Sequence, residues 1–192
     1  MTGANQPTNE IVAQAVARFD QENAVVEGAL DLVFKAYPLN SNPQHVLIKT
    51  TLLNRLYSAG ILDVSGAAQH IVQLGIDAEL EARSPAVVEK IAKMRLGGKE
   101  RNHYSFATKY CSWHRPDVYP IYDSLVDRCL MVFRRQDAHF TFKQNDLYRY
   151  ESFVRIVDDL RQHYDLRCSY KDLDKFLWIE GQGIAKAKAA KA

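Results

Sequence analysis

Leu, Val, Ala and Ile recur along this chain at spacings of three and four and almost nowhere in alternation, which is the pattern of amphipathic helices rather than half-buried strands. Ile11, Val12, Ala15, Val16 and Phe19 share a face behind a cap at Thr8 or Asn9. Val25, Val26, Ala29, Leu30, Val33, Phe34 and Tyr37 continue the pattern to Pro38, with a break expected near Asp20. Asn42 and Pro43 open a new helix with Leu47, Ile48, Leu52 and Leu56 as its core face and Gly60 as its stop. Further helices are predicted from Ser65 to Leu74, stopped by Gly75, from Ser84-Pro85 to Gly97-Gly98, from Tyr148 to Tyr164, and onward from a capping-box-like Ser169 and Asp172. The segment AHFTFKQND is read as a short extended stretch or a loop, so the expected class is all-α with no real sheet.

The stretch Tyr104 to Leu130 concentrates turn chemistry, aromatic residues and a positioned carboxylate. Phe106, Ala107, Tyr110, Cys111 and His114 form one helical face, with Thr108, Lys109, Ser112 and Arg115 opposite, and the helix must end before Pro116. After the link Tyr-Pro-Ile-Tyr-Asp-Ser, a second helix places Leu125, Val126, Cys129, Leu130 and Phe133 inward. Asp127, Arg128, Arg134 and Arg135 face water in this reading, and Asp123 is its N-cap. The two apolar faces are expected to bury Ala107, Tyr110, Leu125, Cys129 and Leu130 together.

With 47% apolar and 25% charged residues the chain can build a core, which excludes a disordered protein. The expected organisation is a disordered segment over 1–8, a single domain over 9–182 and a flexible basic tail over 183–192. The polar start lacks the apolar segment of a signal peptide, and no apolar run approaches the roughly 18 residues that span a bilayer, so a cytoplasmic protein is expected. Cys111, Cys129 and Cys168 read as reduced residues with no disulfide. Cys111 and His114 make a C-x-x-H pair, but a structural zinc site needs a second tight pair, and no metal is expected. There is no phosphate loop ending in Gly-Lys-Ser and no Gly-x-Ser-x-Gly elbow. The net charge of +2 is small, yet Lys93, Arg95, Lys99, Arg101, Lys109 and Arg115 are opposed only by Glu100 between positions 93 and 115. That density suits either a solvated face or a phosphate-binding one.

Ser105-Phe106-Ala107, then Pro120-Ile121-Tyr122-Asp123-Ser124, then Val126, Arg128 and Leu130 resemble the catalytic half of helix-hairpin-helix DNA glycosylases, nearest the adenine DNA glycosylase branch. In that family a Ser-Thr-Ala helix start is followed by Pro-Ile-Leu-Asp and then Val and Arg, and Ser105 and Asp123 stand eighteen apart as that spacing requires. Three departures stand out, one being an interval between Asn54 and Ser105 shorter than the family's. Lys99-Glu100-Arg101-Asn102-His103 replaces the family's Leu-Pro-Gly-Val-Gly hairpin, and Lys49 stands where the adenine branch has a glutamate.

The resemblance implies a two-lobed helical bundle and a monofunctional glycosylase that flips a damaged or modified base and hydrolyses its N-glycosidic bond. Asp123 would be the catalytic anion. Ser105, Tyr122 and Asn54 would line the substrate site, with Tyr122 stacking on the extruded base and Asn54 entering the vacated stack. Lys99, Arg101 and Lys109 would grip DNA. No cofactor is implied, Ser105 in place of the lyase lysine excludes a Schiff base, and the protein is expected to act as a monomer. The alternative is a noncatalytic DNA-binding or protein-interaction module on the same fold.

Overall fold

Asn42 illustrates how local chemistry starts the helices here. Its Oδ1 accepts the amides of Gln44 and His45 at 2.9 and 3.1 Å, and Pro43, which lacks an amide, fills the first helical position. The computed structural model describes residues 4–190. Helices α1 (Asn9–Ala36), α2 (Pro43–Leu56), α3 (Val64–Leu74), α4 (Asp77–Glu81) and α5 (Ala86–Ala92) lead to strands β1 (Lys93–Leu96) and β2 (Lys99–Asn102). Helices α6 (Tyr104–His114), α7 (Ser124–Gln136), α8 (Tyr150–His163) and α9 (Tyr170–Ala189) follow. The fold is predominantly helical and of the all-α class, the short β1–β2 hairpin being the one sheet among the described residues. No helix of the described residues is long and apolar enough to cross a membrane.

The chain divides into two compact units. One comprises the described residues to Asn23 together with those from Pro120 onward, and the other is Ala24–Tyr119. Ala107 and Tyr110 are buried in the second unit, and Cys129 and Leu130 in the first, where Leu125 is half-buried.

Several expectations are corrected. α1 runs unbroken through Asp20, because no proline interrupts it and the Asp20 carboxylate takes the Lys175 ammonium at 2.5 Å. α2 turns Val46, Lys49, Thr50 and Leu53 inward, at helical spacing, and leaves Leu47 and Ile48 38% and 43% exposed. The helix expected to reach Gly97 stops at Ala92. Gly97 and Gly98 both take positive φ, 57° and 76°, the backbone of a two-residue hairpin turn, so Met94 and Leu96 alternate inward from a strand.

Asp127, placed toward water, is buried, accepting from the Tyr122 hydroxyl at 2.9 Å and from Gln144 at 3.0 Å. Thr108, Lys109 and Ser112 are buried as well, so α6 has no solvent face over these positions. AHFTFKQND forms no strand and runs into a 3-10 turn over Gln144–Tyr148.

The two ends also differ from expectation. Ala4 exchanges backbone hydrogen bonds with the Gln136 side chain and Asn5 is held by Glu180, which orders residues 4–8, while residues 1–3 lie outside those described. Residues 183–189 continue α9 instead of forming a tail, since Ile184 is buried; 191 and 192 lie outside the described residues.

The α7–α9 contact depends on Gly181. A Cβ there would lie 2.5 Å from the Leu125 carbonyl oxygen and 2.9 Å from its carbon, backbone atoms that cannot rotate away. Gly181→Ala should destabilise the first unit by about 1–3 kcal/mol, although alanine favours helix, because overpacking outweighs the propensity gain. Thermal unfolding checks this, with Gly183→Ala, which meets nothing within 4 Å, as the control.

Candidate functional site

The Tyr119–Ser124 link is positioned from both ends. In the second unit the Tyr119 hydroxyl donates to the Ser84 carbonyl at 3.2 Å, and in the first the buried Tyr150 hydroxyl donates to the Pro120 carbonyl at 3.1 Å. Asp123 then takes an extended conformation, φ −150° and ψ 178°, and its Oδ1 accepts the amides of Leu125 and Val126, both at 2.9 Å. The carboxylate caps the N-terminus of the 13-residue helix α7.

Tyr122, assigned to base stacking, is buried. Its ring stands edge-on to Phe153 at 5.6 Å, and its hydroxyl is committed to Asp127. Burial, then the Asp127 carboxylate, push this hydroxyl far above the ordinary tyrosine range. Asn54 is also engaged: its Nδ2 donates to the Ile61 carbonyl and its Oδ1 accepts the Ile61 amide, both at 2.9 Å, clamping the turn after α2. Inserting Asn54 into a base stack would require both bonds to break.

Lys109 is 4% exposed, donates to Ser105 Oγ at 2.7 Å and lies over the Tyr57 ring at 5.4 Å. It supports α6 rather than offering a surface charge. Lys99 and Arg101 are exposed on β2. Ser105, Asn54, Lys99, Arg101 and Lys109 belong to the second unit, Asp123 and Tyr122 to the first.

The residues missed by sequence reasoning surround Lys49. Fully buried, its ammonium donates to the carbonyls of Tyr37 and Leu39, both at 3.0 Å, and to Asn40 Oδ1 at 2.7 Å. Asn40 Oδ1 also accepts the Tyr110 hydroxyl at 2.6 Å, while Asn40 Nδ2 and its amide donate to Asp77. Desolvation lowers the Lys49 pKa to about 8 despite the Asp77 charge.

His114 Nε2 lies 3.3 Å from the Lys49 amine, and its ring meets Phe34 at 5.0 Å. Burial, and then the Lys49 charge, hold the imidazole down at about 3. A cleft of about 590 Å³ opens beside this group, lined by Phe34, Leu39, Asp77, Trp113, His114 and Arg115 among others. The only early signal was an Asn and a Lys at 40 and 49 among apolar residues. Among the described residues no three His, Cys, Asp or Glu side chains gather as metal ligands, and Cys111 and Cys129 are buried thiols whose pKa burial raises.

The model of the HI_0787_N family, described as an N-terminal domain, matches residues 11–118. An uncharacterized protein of Haemophilus influenzae is 36% identical over 140 residues, covering 72% of this chain and 67% of that protein. No solved structure matches.

A neutral His114 makes a pH prediction. Between its ordinary value of 6.5 and about 3, the unfolded chain binds a proton that the folded chain does not, so stability is full above pH 6.5 and declines as the pH falls. His103, also lowered, adds in the same direction. Denaturant midpoints from pH 7.5 down to about 5, above most carboxylate titration, should fall for the wild type and flatten for His114→Phe.

Proposed function

The chain belongs to the HI_0787_N N-terminal domain family, and from the geometry around Asp123 we propose that it is a monofunctional DNA glycosylase-like protein in which Asp123 carries the chemistry. The observation that supports this most is the Asp123 carboxylate fixed at the N-terminus of α7 by two amides, directly after the link that resembles the glycosylase motif. Base loss leaves a sugar with oxocarbenium character, and a fixed anion stabilises it without reorganising as charge develops. Ser105 offers no amine for a Schiff base, so the product would be an intact abasic strand.

A second reading has its own support. Tyr122, Asn54 and Lys109 are each engaged inside the fold, which favours a noncatalytic nucleic-acid-binding module of the same architecture. One substitution separates the two. Asp123→Asn keeps an acceptor for the capping amides and removes the charge. In the glycosylase reading it lowers single-turnover base release by about a hundredfold, roughly 3 kcal/mol, while DNA binding persists and stability changes by at most about 1 kcal/mol. Unchanged release by a folded mutant would remove Asp123 from the chemistry.

A further inference from the structure

The cleft beside Lys49 is lined by residues of the second unit alone and holds a polar pair that the chemistry proposed for Asp123 does not use. The Lys49 ammonium has three protons, and three oxygens take them, the carbonyls of Tyr37 and Leu39 and Asn40 Oδ1. His114 Nε2 lies 3.3 Å from the same nitrogen. A proton on Nε2 would point at the cation, so Nε2 turns its lone pair to the charge and the neutral ring carries its proton on Nδ1. No described residue accepts from Nδ1, and His114 is half-buried at the cleft wall. The buried lysine thereby fixes one tautomer, in which His114 offers a single N–H donor to an occupant.

Asp77 supplies the complementary acceptor. Its Oδ1 accepts from Asn40 Nδ2 at 2.6 Å, and both carboxylate oxygens share the Asn40 amide at 3.1 and 3.0 Å, which leaves Oδ2 able to accept a further bond. Asn40 is 1% exposed and also holds Lys49, so one buried pair positions both the donor and the acceptor.

The rest of the lining is largely aromatic and apolar. Phe34 and Trp113 lie 5.9 Å apart with planes tilted by 34°, and the indole is oriented by its donation to the Tyr57 hydroxyl at 3.3 Å. About 590 Å³ suits a small molecule. Three carboxylates, Asp31, Asp77 and Glu81, line the cleft against two cations, Lys35 and Arg115, which are already bonded to Asp31 and Glu81. That surplus of negative charge opposes an anionic ligand.

We propose that this cleft binds an uncharged planar heteroaromatic lactam, whose ring carbonyl accepts from His114 Nδ1, whose adjacent ring N–H donates to Asp77, and whose face packs on Phe34 and Trp113. Oxo-purines, oxo-pyrimidines and pterins share that edge. An aliphatic amide presents the same edge but leaves the aromatic wall unused, and a nucleotide brings its phosphate to a site with surplus carboxylate. The site involves neither Asp123 nor DNA, so it stands or falls apart from the function proposed above.

The test titrates the full wild-type chain with hypoxanthine, a bicyclic oxo-purine, followed by NMR. The Trp113 indole N–H should shift saturably, and the indole of Trp178, which packs against Phe19 in the first unit, should not. 1-Methylhypoxanthine, without the lactam N–H, and purine, without either group, should bind at least about tenfold more weakly, the loss expected when a buried polar group is left unpaired. Inosine monophosphate should also bind more weakly than hypoxanthine. His114→Phe keeps a ring and removes the donor, and should lose at least about tenfold in hypoxanthine affinity. Imidazole nitrogen correlation spectra of the free wild type at neutral pH should place the His114 proton on Nδ1. The absence of a saturable Trp113 shift, equal affinity for hypoxanthine and purine, tighter binding of the nucleotide, undiminished binding by His114→Phe, or a proton on Nε2 would each overturn the proposal. Should His114→Phe not fold, the ligand series and the tautomer of the wild type decide alone.

Discussion

The ammonium of Lys49, enclosed by three oxygen acceptors, is the constraint on which the second unit depends. α1 ends in carbonyls that have no helical partner, and a buried chain end in that state costs free energy for each unpaired group. Lys49 supplies three donors to one point, at Tyr37, Leu39 and Asn40, which no apolar side chain could do. Asn40 carries the bonding on to Tyr110 of α6 and to Asp77 at the start of α4, so one amide joins four parts of the chain. The lowered pKa of about 8 records what desolvation still costs after those bonds are made. Burial, and then the same charge, hold the His114 imidazole low, and His114 and Asp77 line the adjoining cleft.

What the sequence disclosed follows from how local each decision is. Asn42, Ser169, Asp123 and Gly75 act through atoms two or three residues away, and all four take the capping or stopping geometry their residue types favour. The inward face of α2 could not be read this way. Leu47 and Ile48 look like core and Lys49 and Thr50 like surface until the carbonyls of Tyr37 and Leu39, supplied by the preceding turn, are brought against the helix. The β1–β2 hairpin was hidden for a related reason. Val87, Val88, Ile91 and Met94 satisfy a helical period, and only the paired positive φ of Gly97 and Gly98 selects a strand.

The candidate site divides along the same line. The capping geometry of Asp123 was legible because it is local. The engagement of Tyr122 with Asp127, of Asn54 with Ile61 and of Lys109 with Ser105 was not, since each depends on which buried acceptor the fold brings within 3 Å. The family match covers residues 11–118, which contain the Lys49 network and the β1–β2 hairpin and end before the Asp123 link. Family membership and the likeness to glycosylases thus rest on segments that overlap only from Ser105 to Val118.

Whether that chemistry operates is decided by base release itself. The wild-type chain should be incubated with oligonucleotides carrying a range of damaged and modified bases, in duplex and single-stranded form, and abasic sites read out by alkali cleavage. The glycosylase account predicts alkali-dependent cleavage of at least one duplex substrate, with the strand intact before alkali and no borohydride-trapped adduct. Absence of abasic sites on every substrate, or a trapped adduct, would contradict it.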